Sequence, residues 1–164
     1  MAYRLINVDN GLKKRDVVKA KQSLSEALKR IHAVNALQDI GHFTVDITHP
    51  RMMSKRAVVV RYPLSKKTEL KITPSVSPEA IIHALVHVKQ YNRESLAPCS
   101  QHGGGIIWHK QWYEVEHGHQ RHSPRWHYPW EVEAYHMELK HYRNKFKRWC
   151  RCVYLRYKGV PILS

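Results

Sequence analysis

Residues 78–91 read Pro78-Glu79-Ala80-Ile81-Ile82-His83-Ala84-Leu85-Val86-His87-Val88-Lys89-Gln90-Tyr91, with Ser77 immediately before them. Ser77 can accept from amides that a helix start leaves without partners, Pro78 tolerates the first turn, and Glu79 suits the positive end of the helix dipole. The stretch therefore predicts a helix over residues 78–91. His83 and His87 stand at i and i+4, which puts both imidazoles on one helix face. Two imidazoles so placed can reach a single zinc ion. In a chain with 13 histidines, two unrelated surface histidines are the alternative reading.

Upstream, residues 16–37 carry Val17, Ala20, Leu24, Ala27, Leu28, Ile31 and Val34 at spacings of three and four, one apolar stripe along an amphipathic helix. Residues 42–47 alternate with period two and predict a strand that buries Phe43, Val45 and Ile47. Residues 56–62 are β-branched, and residues 68–72 alternate again after a turn at 63–67. The expectation is a small, mostly antiparallel sheet. Downstream, residues 98–128 are rich in Gly, His and Trp without internal period, and one strand is expected over 105–115. Pro129 opens a final helix running toward Trp149, with Lys and Arg in its later turns. Helix, sheet, helix, irregular segment and helix in that order predict an α+β domain spanning residues 1–164.

The composition agrees with one globular domain. The chain has 164 residues, 43% hydrophobic and 25% charged, which argues against a two-domain enzyme and against disorder. Its 28 Lys+Arg against 13 Asp+Glu give a net charge of +15, so a charged partner should be acidic. No run approaches the roughly 18 apolar residues of a membrane span, and the opening Met-Ala-Tyr-Arg-Leu-Ile-Asn lacks the apolar core of a signal peptide. No membrane association and a cytoplasmic, intracellular location are expected. Cys99, Cys150 and Cys152 are odd in number, and two lie too close for an ordinary bridge, so reduced thiols are expected.

In the H-E-x-x-H pattern a Glu follows the first histidine and takes a proton from the water that the ion activates. Ala84 occupies that position here. The helix start at Pro129 puts Glu131 in a first turn, where an ionised carboxylate is favoured and can complete a two-histidine, one-carboxylate ligand set. Glu133, two residues on and about 200° around the helix, is its competitor, and both should not ligate the same ion at once. The alternative for both is a solvated helix-surface carboxylate.

The block from Pro78 to Tyr91, followed by Ile107-Trp108 and by Pro129-Trp130-Glu131-Val132-Glu133-Ala134-Tyr135, resembles the small single-domain zinc metallopeptidases of the gluzincin type. These include short proteins of viral and bacterial genomes that carry HELVHVKQY and a later PWE-x-EAY. The resemblance covers about residues 57–140, and the first 40 residues match only in being a helix that can precede the sheet. It implies a zincin-like fold, in which the sheet lies over the metal-bearing helix and a second helix supplies a carboxylate as third zinc ligand. Glu131 aligns with the first Glu of the E-x-x-A pattern in related families. The resemblance further implies hydrolysis of a protein or peptide substrate by zinc-activated water, in the cytoplasm, including that of a virus-infected host cell. Ala84 departs from the pattern by removing the general base, and general acid–base catalysis is worth roughly 10²- to 10⁴-fold. The chain as written is expected to be an inactive variant, either a peptidase silenced by replacement of Glu or a natural pseudoenzyme that keeps the scaffold for binding. His127 or Tyr128, with His119 and His122, is the expected donor to the developing oxyanion. His102-Gly103 also resembles the H-G step of SprT-like proteases, where a His is the third ligand, although Trp108 lies too far along for that pattern.

Residues 140–158 hold Lys140, Arg143, Lys145, Lys147, Arg148, Arg151, Arg156 and Lys158 among Tyr142, Phe146, Trp149, Tyr154 and Tyr157. Cations neutralise phosphates and ring faces stack on bases, so DNA or RNA binding through Lys140, Arg143, Lys147, Arg148 and Arg151 is the second functional expectation, with any zinc structural. A SprT-like protease acting on protein bound to DNA would join the two readings, and an acidic protein is the other partner this charge admits. Alternatively Tyr142, Phe146 and Trp149, at helical spacing, form a buried stripe and leave the cations as a solvated face. Cys99 and His102 form a C-x-x-H pair, but no second pair stands at the spacing of a structural zinc site.

Overall fold

The computed structural model describes residues 3–33, 40–99, 105–113 and 128–162. The chain runs β1 (Tyr3–Val8), α1 (Lys14–Ala33), β2 (Phe43–Ile47), a 3-10 turn (Pro50–Met52), β3 (Ala57–Tyr62), β4 (Lys67–Ile72), α2 (Pro78–Asn92) and β5 (Leu96–Pro98). It continues through β6 (Ile106–Trp108), β7 (Gln111–Tyr113), α3 (Pro129–Lys140) and α4 (Lys145–Tyr157). The protein is thus mixed α+β, with four α-helices and two small sheets among the described residues.

The larger sheet has the order β1-β2-β4-β3. β1 pairs parallel with β2, β2 pairs parallel with β4, and only β3 and β4 are antiparallel. This corrects the expected mostly antiparallel sheet. β1 was not anticipated, because its exposed Arg4 and Asn7 interrupt the apolar pattern, and its partner β2 lies beyond the whole of α1. α1 carries the chain back to the starting edge, as a parallel pair requires. Residues 48–56 then reach past the place that β4 fills, so that β3 and β4 form a hairpin with β4 inside the sheet.

Strand alternation decides which face is covered. Phe43, Val45 and Ile47 are buried as expected, and Val45 and Ile47 pair with Leu70 and Ile72 of β4. These side chains pack against Ala20, Leu24, Ala27 and Ile31 of α1 and against Ile81, Ile82, Leu85 and Val88 of α2. Arg30 ties the helices together at one end. Its guanidinium donates to Glu26 at 3.0 Å, to Glu79 at 2.9 Å and to the His141 carbonyl at 3.1 Å, which links α1 to the start of α2 and the end of α3.

Three further expectations change. The single strand expected over 105–115 is a hairpin, β6 and β7, joined to β5 in an antiparallel sheet; the chain reverses at His109 and Lys110 with φ of 45° and 69°. The single C-terminal helix is two helices. His141 closes α3, and Asn144 caps α4 by accepting from the Lys147 amide at 3.0 Å. The buried aromatic stripe is overturned for two of its members, since Phe146 and Trp149 are 70% and 62% exposed. α4 instead buries Leu155 against Tyr135 and Leu139, with Tyr142 packed beside them.

Residues 34–37 of the first expected helix, and His102, Gly103, His117, His119, His122 and His127, lie outside the described residues. None of Cys99, Cys150 and Cys152 takes part in a disulfide. No helix among the described residues is long and apolar enough to cross a membrane.

Candidate metal centre

α2 starts as its sequence predicts, with the Ser77 hydroxyl accepting from the Ala80 amide at 3.2 Å and Pro78 in the first turn. The helix buries Ile81, Ile82, Leu85, Val86 and Val88, which turns His83 and His87 toward α3. α3 starts at Pro129, and Trp130, 3% exposed, fixes that end. The Trp130 ring stacks on Tyr128 at 4.5 Å between centroids and meets Tyr113 of β7 edge-on at 5.3 Å. Glu131, in the first turn of α3, thereby faces the two histidines.

The three side chains converge. His83 Nε2 lies 3.2 Å from His87 Nε2 and 3.2 Å from Glu131 Oε2, and His87 Nε2 lies 3.4 Å from Glu131 Oε1. One ligand atom from each falls within 4.8 Å of the others, and the group can hold a metal ion. It is the one such group of three or more among the described residues.

The outward nitrogens are equally defined. His83 Nδ1 donates to Glu138 Oε2 at 3.0 Å, because an ionised carboxylate can only accept. His87 Nδ1 is 2.8 Å from Gln90 Oε1. The Gln90 amide nitrogen donates to the Trp130 carbonyl at 3.1 Å and to Glu133 Oε2 at 2.7 Å, so its oxygen must face His87 and accept from Nδ1. With an ion at the shared point, both imidazoles would therefore keep a single proton, on Nδ1, and turn the Nε2 lone pair toward the ion, the tautomer that metal-ligating histidines adopt. This donor set and its tautomers fit a divalent ion of zinc's preferences.

Glu131 and Glu133 thus divide the roles left open between them. Glu131 is at the shared point, and Glu133, on another face of α3, clamps the glutamine that orients His87. Glu138 was not anticipated. It lies two turns after Glu131, on the same face of α3, and is 2% exposed. Arg151 of α4 donates to it from Nε at 2.8 Å and from an outer nitrogen at 3.4 Å, and the Tyr142 hydroxyl donates at 3.3 Å. Arg151, grouped by sequence with the phosphate-binding cations, is turned inward to hold the carboxylate that holds His83.

Burial works against the charge on His83, but its hydrogen bonds to Glu131 and Glu138 outweigh this and raise its pKa above the ordinary histidine value. Glu131 responds oppositely. Burial pushes it up, and the two histidines pull it well below the usual carboxylate range. Without a metal the site thus favours imidazolium beside carboxylate. An ion requires the neutral ring, so its binding must expel that proton. Apparent zinc affinity is expected to climb with pH through and above the histidine range, by roughly tenfold per unit for each proton released. A zinc competition titration at several pH values checks this, and a flat profile would contradict it.

The site opens into a cleft of about 530 Å³. One wall is β3 at Ala57, Val58 and Val59, and the others include Ala84, Tyr91, Tyr135 and Tyr154. Ala84, 4% exposed, is therefore a cleft residue. Among the described residues lining the cleft, Glu131 and Glu138 are the only carboxylates, and both are engaged by the histidines. Burial and the Glu131 charge raise the pKa values of Tyr91 and Tyr135, which keeps their hydroxyls protonated. Tyr128, one expected oxyanion donor, stacks on Trp130, which lines the cleft, and is not itself among the described lining residues. Lys140 and Lys147 are exposed, Arg143 pairs with Glu26 at 2.8 Å, and Arg148 donates to the Leu139 carbonyl at 3.1 Å.

No protein-family model matches the chain, and no curated protein or solved structure matches it. Fold and site together define a mixed α+β protein with a His83-His87-Glu131 group able to hold a metal ion.

Proposed function

We propose that this chain is a zincin-like domain of the zinc metallopeptidase type, binding zinc through His83, His87 and Glu131, and that Ala84 leaves it able to hold a peptide but nearly unable to hydrolyse it. The observation that carries this reading is the convergence of three donor atoms while the other nitrogen of each imidazole is tied to its own acceptor. A zinc ion bound there supplies Lewis acidity toward a carbonyl and lowers the pKa of water.

The chain's own residues account for binding and for the suppressed turnover. β3 is an edge strand, paired only with β4 among the described residues, and its residues 57–59 border the cleft. An extended peptide can add to such an edge through its backbone. Exposed Lys55 and Arg56 at the rim favour acidic side chains in that peptide. Tyr91 and Tyr135 keep their hydroxyl protons and can donate to oxygen in the cleft. Among the described residues lining the cleft no uncommitted carboxylate remains to accept a proton, because Ala84 offers none and Glu131 and Glu138 are committed to the histidines.

The experiment is the zinc content per chain of protein purified without added metal, compared with H83A, E131A and E133A. Near one zinc per chain, abolished in H83A and E131A but retained at weaker affinity in E133A, is expected. No zinc, or zinc indifferent to H83A and E131A, would overturn the proposal.

A further inference from the structure

After Glu138 the chain contains eight Lys and Arg and not one Asp or Glu. Most of this charge lies on α4, whose inward side is defined by Leu155, fully buried, and by Arg151 bound to Glu138. The opposite side carries Phe146, Trp149, Val153 and Tyr157 at i, i+3, i+7 and i+11, a single row along the helix. They are 70%, 62%, 46% and 83% exposed, an uncovered row of large side chains where a solvated face would be polar. The Phe146 and Trp149 rings are stacked, 6.0 Å between centroids and 26° from parallel.

Cations flank this row on both sides, Lys145 and Arg156 along one edge and Lys147 and Lys158 along the other. None of the four has an ion pair among the described residues, whereas Arg143 and Arg151 do. The Lys158 ammonium lies 5.7 Å from the Tyr154 ring and 5.8 Å from the Tyr157 ring, so charge and ring face are presented together. Trp149 also lines a groove of about 680 Å³ whose described lining residues include Lys140, Lys145, Arg148 and Arg156 and no carboxylate.

We infer that the outer face of α4 binds a single-stranded polynucleotide, with Phe146 and Trp149 as platforms for unstacked bases and the flanking lysines and arginines on the phosphates. The charge is complementary to a phosphodiester chain, and exposed rings interleaved with cations are what binding of single strands without sequence preference requires. A duplex would leave the ring row unused, because its bases are already stacked. An anionic membrane surface would also meet the charge, but the row has one aliphatic member, Val153, and otherwise offers rings with polar edges or cation neighbours. This surface is independent of the metal centre and is tested on its own readout.

The test is fluorescence anisotropy of a labelled oligothymidylate of about 12 nucleotides with the full chain, across a salt series. Oligouridylate, a duplex of equal length, polyglutamate and vesicles containing phosphatidylserine serve as the other arms. The single strands should bind more tightly than the duplex, with log affinity falling linearly with log salt. F146A and W149A should each weaken the single strand by about 5- to 150-fold, the range for loss of a base–aromatic stack. K147Q and K158Q should each reduce the salt slope by about 0.7. Phe146, Trp149 and the lysines are exposed, and an unchanged circular dichroism spectrum verifies folding. Equal affinity for single strand and duplex, binding unaffected by F146A and W149A, or tighter binding to polyglutamate or to vesicles would each overturn the inference.

Discussion

A84E is expected to raise zinc-dependent peptide hydrolysis by roughly 10²- to 10⁴-fold over the unaltered chain, the usual contribution of a positioned general acid–base. Residue 84 follows the first histidine directly and lines the same cleft as His83, His87 and Glu131, so a side chain there enters the space where a peptide would lie. Ala84 belongs to the core cluster of Ile81, Leu85 and Val88 and also lines the cleft of about 530 Å³, toward which the added carboxylate would extend. Zinc content should be unchanged, because the added group is a base and leaves the ligand set as it was. The measurement is cleavage of a mixed peptide library, with self-cleavage followed by mass spectrometry, for both chains loaded with zinc. A zinc-replete A84E protein that cuts neither itself nor any peptide would sink the peptidase reading while leaving the metal centre standing.

The second large effect should come from Glu138. E138A leaves Arg151 and the Tyr142 hydroxyl without their acceptor and His83 Nδ1 without its orienting partner. Breaking a fully buried pair from one side costs about 3–5 kcal/mol, and this one costs less because the Arg151 side chain left behind is 31% exposed to water; loss of a partner behind a metal ligand lowers metal affinity by about 10- to 100-fold. Both losses should appear, the first in chemical denaturation and the second in zinc competition. E138Q, which keeps an acceptor oxygen for His83 and gives up the charge facing Arg151, should fall between. If E138Q and E138A both bind zinc as the unaltered chain does, the Arg151-Glu138-His83 relay has no part in positioning the metal.

The sequence made visible whatever is local. Ser77, Pro78 and Glu79 start α2 through contacts within one turn, and the i, i+4 spacing alone brings His83 and His87 to one face. The alternation of Phe43, Val45 and Ile47 announced a strand and its buried side. Glu138 and Gln90 carried a signal of the same kind, being seven residues after Glu131 and three after His87, but the signal has meaning only once α3 is known to lie against α2. Asn144, whose side chain caps α4, is a local signal that the expectation of one helix from Pro129 toward Trp149 missed.

What only the tertiary structure decided was pairing and facing. Parallel pairing of β1 with β2 joins segments separated by α1, and no local pattern specifies a partner that distant. The choice between Glu131 and Glu133 depended on how α3 is rotated against α2, which Trp130 and its stack with Tyr128 set. Helical spacing showed that α4 has a ring-bearing face but not whether that face is covered; burial of Leu155 on Tyr135 and Leu139 turned it outward. Periodicity determines which residues share a face, because it follows from the backbone repeat. Which face is buried follows from the apolar surface that the rest of the chain presents to it, and that exists only after folding.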